Sequence, residues 1–228
     1  MDLSIIIPVF NEIHTLPECL RRVEAVNLER EILIVDDGST DGTRQYLESL
    51  PPAEHRSVFF HERNRGKGAA IQTALPHARG DFVVIQDGDL EYDPEDLKAL
   101  LAAAKNGTPI VYGSRVLGGD PISYLSFYLG GRFLSWLTNR LYGSHITDEP
   151  TCYKLFRRDI LQEMNLTARG FSFCPEVTAL ALRKGYSIHE IPISYLPRSK
   201  KEGKKISWRT GVGAIYTLLK YRWKRKVS

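Results

Sequence analysis

Residues 31–43 read EILIVDDGSTDGT, and this stretch decides the fold. Glu31–Val35 is mostly apolar and lacks the alternation of a strand that has one face in water. Such a run is typical of a strand buried on both faces of a parallel sheet. A turn rich in Asp and Gly follows, and the next residues predict a helix over Asp41–Leu50 with Asp41 as its N-cap.

The same order of strand, turn and helix recurs through the first half of the chain. Further strands are predicted at Leu3–Val9, Ser57–His61, Asp81–Gln86 and Thr108–Gly113. Further helices are predicted at Thr15–Val26, Lys67–Ala78 and Asp96–Lys105. This alternation predicts an α/β fold with a doubly wound, mainly parallel sheet.

The second half has a less regular pattern. It predicts helices at Ser123–Gly143 and Pro175–Lys184, and strands at Cys152–Phe156 and Tyr186–Tyr195. Pro192 makes the last strand an edge or bulged strand, because proline cannot donate to a ladder. We expect one α/β domain over residues 1–205, followed by a basic amphipathic tail over residues 206–228.

Composition excludes several classes of protein. In 228 residues, 43% are hydrophobic and 25% charged, which excludes a disordered chain, a collagen-like fibre and a coiled coil. Three cysteines without a Cys-x-x-Cys pair disfavour a disulfide scaffold and structural zinc, and suit a reducing compartment. The start of the chain does not resemble a signal peptide, and no run of 18 apolar residues predicts a membrane span.

Charge is unevenly distributed along the chain. Residues 198–226 hold 11 Lys and Arg but only one acid, Glu202, although the net charge of the whole chain is only +4. An acidic body with a basic tail indicates an anionic ligand or surface near the tail. No nucleic-acid-binding motif accompanies this charge, so we do not expect a nucleic-acid partner.

Carboxylates follow three of the predicted strands, where ligands of parallel sheets bind. Glu12, Asp37 and the run Asp87-Gly88-Asp89 with Glu91 lie at these ends. Any one of these clusters has a plainer explanation, since Asp-Gly pairs are common in turns. Together, however, they need a cation to offset their repulsion. Oxygen ligands without histidine favour Mg²⁺ or Mn²⁺, which suggests cleavage at a diphosphate.

The motifs in combination resemble a known family. IIIPVFNE, VDDGSTDGT, NRGKGAAIQTAL and DGDLEYDPEDL are similar to family 2 glycosyltransferases, which have the GT-A fold. TDEPTCYKLF and EIPISYLPR narrow the resemblance to dolichyl- or polyprenyl-phosphate hexosyltransferases of the dolichol-phosphate mannose synthase type. The resemblance covers residues 3 to about 208.

The resemblance implies a nucleotide-sugar site. Its nucleoside would lie against Pro8, Phe10, Glu12, Val35 and Asp37, with Phe10 replacing the usual Tyr. Ribose and diphosphate would lie against Asp87 and Gly88, and the metal would be held by Asp89 and Glu91, where mannose synthases usually have Gln instead of Glu91. The phosphates would be contacted by Arg115, Arg198 and Lys204, with Lys205 as a rival to Lys204.

The implied reaction is an inverting, metal-dependent transfer of mannose or glucose from a GDP- or UDP-hexose to a polyprenyl or dolichyl phosphate. Such an acceptor is already an anion, so no general base is needed. A related transferase with a saccharide or protein hydroxyl acceptor would need one. Another alternative is a non-catalytic module that binds sugar nucleotides. A sugar-phosphate nucleotidyltransferase is disfavoured, because residues 3–12 lack its glycine-rich turn.

Two segments suggest a membrane surface. Ser123–Gly143 places Leu and aromatic residues at helical spacing with Arg132 and Arg140 between them, and the resemblance implies that such helices lie in the membrane interface. With the basic tail, this predicts a peripheral protein on the cytoplasmic face. The alternatives are a core helix at Ser123–Gly143 and a tail that packs on the body.

Three smaller features have plainer explanations. Gly66-Lys67-Gly68 does not match a phosphate-binding loop, so its glycines are expected to allow a tight helix start. Glu176 lies at the start of a predicted helix, where negative charge is favoured in any case. Thr147-Asp148 is expected either to line the acceptor site or to cap a helix.

Overall fold

The computed structural model describes residues 1–119, 125–198 and 208–224, and it contains one seven-stranded sheet. The strands are β1 (Leu3–Val9), β2 (Arg30–Asp36), β3 (Arg56–Phe60), β4 (Phe82–Ile85), β5 (Ile110–Ser114), β6 (Lys154–Arg157) and β7 (His189–Pro192). Their spatial order is β3-β2-β1-β4-β6-β5-β7. The predicted mainly parallel α/β fold is confirmed.

Helices connect most of these strands. They are α1 (Leu16–Ala25), α2 (Thr43–Ser49), α3 (Lys67–Ala74), α4 (Asp96–Lys105), α5 (Arg115–Gly118), α6 (Leu125–Tyr142), α7 (Arg158–Gln162), α8 (Phe173–Arg183) and α9 (Trp208–Trp223). The short helices α5 and α7 were not predicted, because four or five residues carry no readable helical period. No helix within the described residues is both long and apolar enough to cross a membrane.

Strand direction places several chain turns at one edge of the sheet. β1 pairs in parallel with β2 and β4, and β2 with β3, whereas β6 runs antiparallel between β4 and β5. β4 and β5 therefore point the same way, and the residues that follow β1, β2, β4 and β5 meet at one edge. The residues that precede β6 reach that edge as well.

The prediction for the start of α2 was wrong by one residue. Gly42, with φ of +101°, is the N-cap, and the helix begins at Thr43. Asp41 still binds this turn: its carboxylate accepts from the Thr43 amide at 3.0 Å and the Thr43 hydroxyl at 2.6 Å. It also accepts from the Ile13 amide at 3.1 Å, so it links the turns after β1 and β2.

Two hydrophobic cores hold the molecule together. The larger core packs the sheet against its helices, and β1 and β2 contribute side chains with almost no exposed surface. The smaller core joins α6, α8 and α9 through Leu134, Ala179, Ala214, Leu218 and Tyr221. The tail therefore packs on the body, as the alternative expected. The domain boundary at residue 205 stays a prediction.

A substitution at Gly68 in α3 tests how closely the second half of the chain packs against the first. A Cβ atom there would lie 2.2 Å from the carbonyl oxygen of Ala168, whereas one on Gly130 in α6 would meet nothing within 4 Å. Gly68→Ala should lower the free energy of unfolding by about 1–3 kcal/mol through overpacking. Gly130→Ala should raise it by about 0.5–1 kcal/mol, because alanine favours helices.

Urea denaturation of both variants and the wild-type protein measures these differences. Equal stabilisation by the two substitutions would contradict the close contact between α3 and Ala168.

Candidate active site

A cavity of about 340 Å³ opens at the edge of the sheet where the strand ends meet. Most of the predicted site residues line it: Pro8, Phe10, Glu12, Asp37, Asp87, Gly88, Asp89, Glu91 and Arg198. Val35 is fully buried in β2 and, like Arg115, is not among the described residues of the lining. Lys204 and its rival Lys205 lie outside the described residues. The ligand contacts of all these residues stay predictions.

Sequence reasoning missed part of the cavity wall. Asn64, Gly66, Lys67, Gly170 and Phe171 also line it. Gly170 and Phe171 come from the segment before α8, which carries no recognisable motif. The sequence did contain a signal for Lys67, because it is a lysine beside glycines at a helix start. We did not assign Lys67 to the site because these residues do not match a phosphate-binding loop.

Glu12 is positioned by links between the turns that follow β1 and β2. Asn11 adopts φ of +52°, which turns the chain sharply after the strand. Its side-chain oxygen accepts from the Thr40 amide at 2.8 Å, and its own amide donates to the Ser39 hydroxyl at 2.9 Å. The Glu12 amide donates to the Thr43 hydroxyl at 3.0 Å. These bonds fix Glu12 at the cavity.

Asp37 supports the loop that leads to α3. Its buried carboxylate accepts from the amides of Arg65 at 2.9 Å and Gly66 at 2.7 Å. The Nδ1 atom of His61 lies 2.6 Å away, and its Nε2 atom lies 2.9 Å from the Thr73 hydroxyl. Asp37 therefore has a structural role in addition to the base contact predicted for it.

Lys67 and Asp87 form an ion pair inside the cavity wall. The Nζ atom lies 2.5 Å from Oδ1 of Asp87 and 3.5 Å from Sγ of Cys152. Burial is the largest single influence on Asp87 and would raise its pKa, but the charge and hydrogen bond of Lys67, with Cys152 and Arg198, together lower it. Burial would likewise lower the pKa of Lys67, but Asp87 and the neighbouring cysteines together raise it. Both groups are therefore charged at neutral pH.

Three other carboxylates converge on Arg198. Its guanidinium lies 3.0 Å from Glu12, 2.7 Å from Asp89 and 3.9 Å from Glu91, and its amide donates to Glu91 at 2.9 Å. Burial and the nearby charge of Asp87 raise the pKa of Asp89 to about 7. Within the part of the chain that the structure describes, three carboxylates thus gather around the guanidinium of Arg198.

Asp89 and Glu91 fit a hard divalent ion, because they offer only oxygen atoms and already lie around a positive group. Across the part of the chain that the structure describes, no group of three or more His, Cys, Asp or Glu is arranged to hold a metal. Two carboxylates suffice for Mg²⁺, which keeps several waters and binds substrate phosphates. The metal-ligand assignment stays a prediction.

Arg115 is bound by a carboxylate instead of lining the cavity. Its Nε and Nη2 atoms each lie 2.7 Å from the two oxygens of Asp148, and its guanidinium lies 5.0 Å from the centre of the Tyr195 ring. Burial opposes ionisation of Asp148, but Arg115 outweighs it and lowers the pKa of Asp148. Thr147-Asp148 is thus a support for Arg115, with amides that donate to Glu190 at 2.6 Å and 2.9 Å.

Comparisons with solved structures agree on the fold. Glucosyl-3-phosphoglycerate synthase from Mycobacterium tuberculosis, in complex with Mn²⁺, UDP and phosphoglyceric acid, superposes with a TM-score of 0.69 at 19% identity, covering 99% of this chain and 80% of that one. Residues 1–349 of S. aureus TarS, with UDP-GlcNAc, superpose with a TM-score of 0.65 at 19% identity, covering 97% of this chain and 66% of that one. This chain thus spans about two thirds of that TarS fragment.

The molecule thus has the GT-A fold, with an acidic cavity at one edge of its mainly parallel sheet. The model of glycosyl transferase family 2 matches residues 4–164. Polyprenol monophosphomannose synthase of Mycolicibacterium smegmatis is 32% identical over 216 residues, covering 89% of this chain and 82% of that protein. The chain therefore belongs to glycosyl transferase family 2.

The raised pKa of Asp89 predicts a dependence of stability on pH. In the folded protein the carboxyl group of Asp89 keeps its proton up to about pH 7, whereas in the unfolded chain it loses that proton near pH 4. Asp89 thus costs stability as the pH rises between these values, by about 1.4 kcal/mol per pKa unit. Asp89→Asn should therefore gain more stability over wild type at pH 8 than at pH 5.

Urea denaturation in EDTA at both pH values measures the difference. Glu62→Gln, which removes one exposed carboxylate that does not line the cavity, is the control. If Asp89→Asn differs from wild type by the same amount at pH 5 and pH 8, the pKa of Asp89 is not raised.

Proposed function

We propose that this glycosyltransferase moves mannose or glucose from a GDP- or UDP-hexose to a polyprenyl or dolichyl phosphate, with inversion and with Mg²⁺ or Mn²⁺. The observation that carries the proposal is the gathering of Glu12, Asp89 and Glu91 around one cationic position in the cavity. The similarity to a polyprenol monophosphomannose synthase over most of both chains supports the lipid phosphate acceptor.

The acidic residues hold the donor through a cation. Asp89 and Glu91 would bind the divalent ion, which supplies positive charge to the departing nucleoside diphosphate. Solved relatives contain Mn²⁺ or Mg²⁺ together with UDP. Glu12 and Phe10 also line the cavity, and the nucleoside is expected to lie against them.

Basic side chains stabilise the leaving group. Arg198 already lies among the carboxylates, so it is placed to contact the diphosphate beside them. Lys67, paired with Asp87, adds a second, partly buried cation to the cavity lining. Lys204 is proposed to complete this set, although it lies outside the described residues.

The acceptor phosphate attacks without help from a base. A phosphate monoester has a second pKa of roughly 6, so it is mostly a dianion at neutral pH. The carboxylate of Asp37 accepts from two backbone amides and that of Asp87 is paired with Lys67, and the proposal gives neither of them the role of a base. The protein then has to align the two substrates and stabilise charge.

An apolar surface on α6 and α9 supports a membrane location. Its large side chains stand in solvent: Leu125, Tyr128, Leu129, Phe133 and Trp136 on α6, and Val212, Tyr216 and Trp223 on α9. Trp136 is 58% exposed and Tyr216 is 66% exposed, which is unusual for side chains of this size. We propose that this surface lies on the cytoplasmic face of a membrane, close to the lipid acceptor.

The reaction is tested with a panel of GDP- and UDP-hexoses and a short polyprenyl phosphate, by following label into lipid. Transfer from one donor is expected, and it should stop in EDTA and return with Mg²⁺ or Mn²⁺. Asp89→Asn should reduce transfer by at least about a hundredfold, because the diphosphate loses its charge stabilisation. Glu62→Gln is the control.

Two results would contradict the proposal. Transfer from none of the donors would exclude the lipid acceptor, and full activity in excess chelator would exclude the roles given to Asp89 and Glu91.

The membrane surface is tested by sedimentation with anionic vesicles. Replacing Trp136 and Tyr216 together by Ser removes apolar area from this surface, so a smaller bound fraction is expected. Raised salt should weaken binding of the wild-type protein, because basic residues near an anionic leaflet contribute about 1 kcal/mol each and salt screens them.

Phe60→Ser is the matched control, since Phe60 is a partly exposed aromatic residue on the edge strand β3. If the double variant and Phe60→Ser sediment alike at every salt concentration, the surface on α6 and α9 does not bind membranes.

A further inference from the structure

Glu176, at the start of α8, binds the segment of the chain that begins at Thr167. Its carboxylate is fully buried in the first turn of α8 and accepts four hydrogen bonds. The amide and hydroxyl of Thr167 donate at 2.9 Å and 2.7 Å, and the amide of Ala168 donates at 2.8 Å. The Tyr221 hydroxyl, from α9, donates at 2.5 Å. A single carboxylate thus joins α8, α9 and the segment that begins at Thr167.

That segment, residues 167–171, forms one wall of the cavity. Gly170 and Phe171 line it, and Phe171 is 42% exposed. The segment also packs against the start of α3: the Ala69 amide donates to the Arg169 carbonyl at 2.9 Å, and the Gln72 side chain donates to the Ala168 carbonyl at 2.8 Å. Gly66 and Lys67, at the start of α3, also line the cavity. A displacement of the segment therefore changes two parts of the cavity wall, its own residues and those at the start of α3.

Tyr221 is held firmly by its own surroundings. Its ring is buried in the core between α6, α8 and α9, and its carbonyl accepts from Arg183 of α8. Its hydroxyl also lies 3.0 Å from the Thr167 hydroxyl. Burial raises the pKa of Tyr221, so the hydroxyl keeps its proton and remains a donor.

We propose that Glu176 and Tyr221 are positioning residues for the nucleotide site. Binding of the donor then depends on how α9 packs against α8 and the segment of residues 167–171. Neither side chain lines the cavity within the described residues. They act through Thr167 and Ala168 on Gly170 and Phe171, a continuous chain of hydrogen bonds and packed backbone. The inference rests on the proposed function in one respect, namely that the cavity binds a nucleotide.

Tyr221→Phe removes the hydroxyl and leaves the buried ring in place. Tyr186→Phe makes the same chemical change at a partly exposed position after α8, outside the surface on α6 and α9, and serves as the matched control. Calorimetry with GDP and with UDP, in Mg²⁺, should show binding to Tyr221→Phe weakened between about twofold and thirtyfold. Tyr186→Phe should bind as the wild-type protein does.

Thr167→Val provides a second route to the same contact, since it removes the other hydroxyl that bonds Glu176. It should weaken binding in the same direction, and the double variant with Tyr221→Phe should lose less than the sum of the single effects, because the two hydroxyls serve one carboxylate. Thermal unfolding of each variant identifies any that has lost its fold.

Amide hydrogen exchange at Thr167 and Ala168 separates this inference from the proposed function. Faster exchange at these two amides in Tyr221→Phe than in Tyr186→Phe is expected, with or without nucleotide. If the wild-type protein binds neither GDP nor UDP, the proposed function fails, and the exchange comparison still decides whether Tyr221 positions the segment. Equal exchange, or equal nucleotide affinity, in the two Phe variants would overturn the inference.

Discussion

Negative charge concentrated at one edge of the sheet is the constraint on which the rest of the structure depends. β1, β2 and β4 all deliver carboxylates to this edge, because parallel strands end on the same side. Buried like charges repel one another, so each must be bonded or paired. Amides surround Asp37, Lys67 pairs with Asp87, and Arg198 draws Glu12, Asp89 and Glu91 together. α3 and the chain after β7 bring these donors to the edge. The need to neutralise the carboxylates therefore determines where these two elements lie.

Apolar patterning predicted the strands that build the first half of the sheet, because the middles of β1 and β2, residues 5–7 and 32–35, are unbroken runs of buried apolar residues. The same reasoning placed the carboxylates at the strand ends, since topology alone determines that edge. It did not predict the direction of β6, whose four residues carry no directional signal. It also did not predict the pairing of Lys67 with Asp87 or of Arg115 with Asp148, which join residues 20 and 33 positions apart. Local pattern carries no information about such contacts.

The smaller hydrophobic core attaches the basic tail to the rest of the domain. A tail that lies free in solution could leave the domain without cost, but α9 contributes Ala214, Leu218 and Tyr221 to a packed interior with α6 and α8. Its other side, with Val212 and Tyr216, remains exposed. One helix thus presents a surface to the outside while its buried side reaches Glu176, so the surface and the cavity wall share a structural element.

The strand at the end of the sheet has a consequence for association between molecules. An open sheet leaves unpaired amides and carbonyls on its outermost strands, which invite pairing with another chain. β7 is only four residues long and ends in Pro192, which has no amide hydrogen to offer. That edge is therefore a poor template for strand addition. On the proposed membrane surface the local concentration would be high, and an edge of this kind would limit edge-to-edge aggregation there.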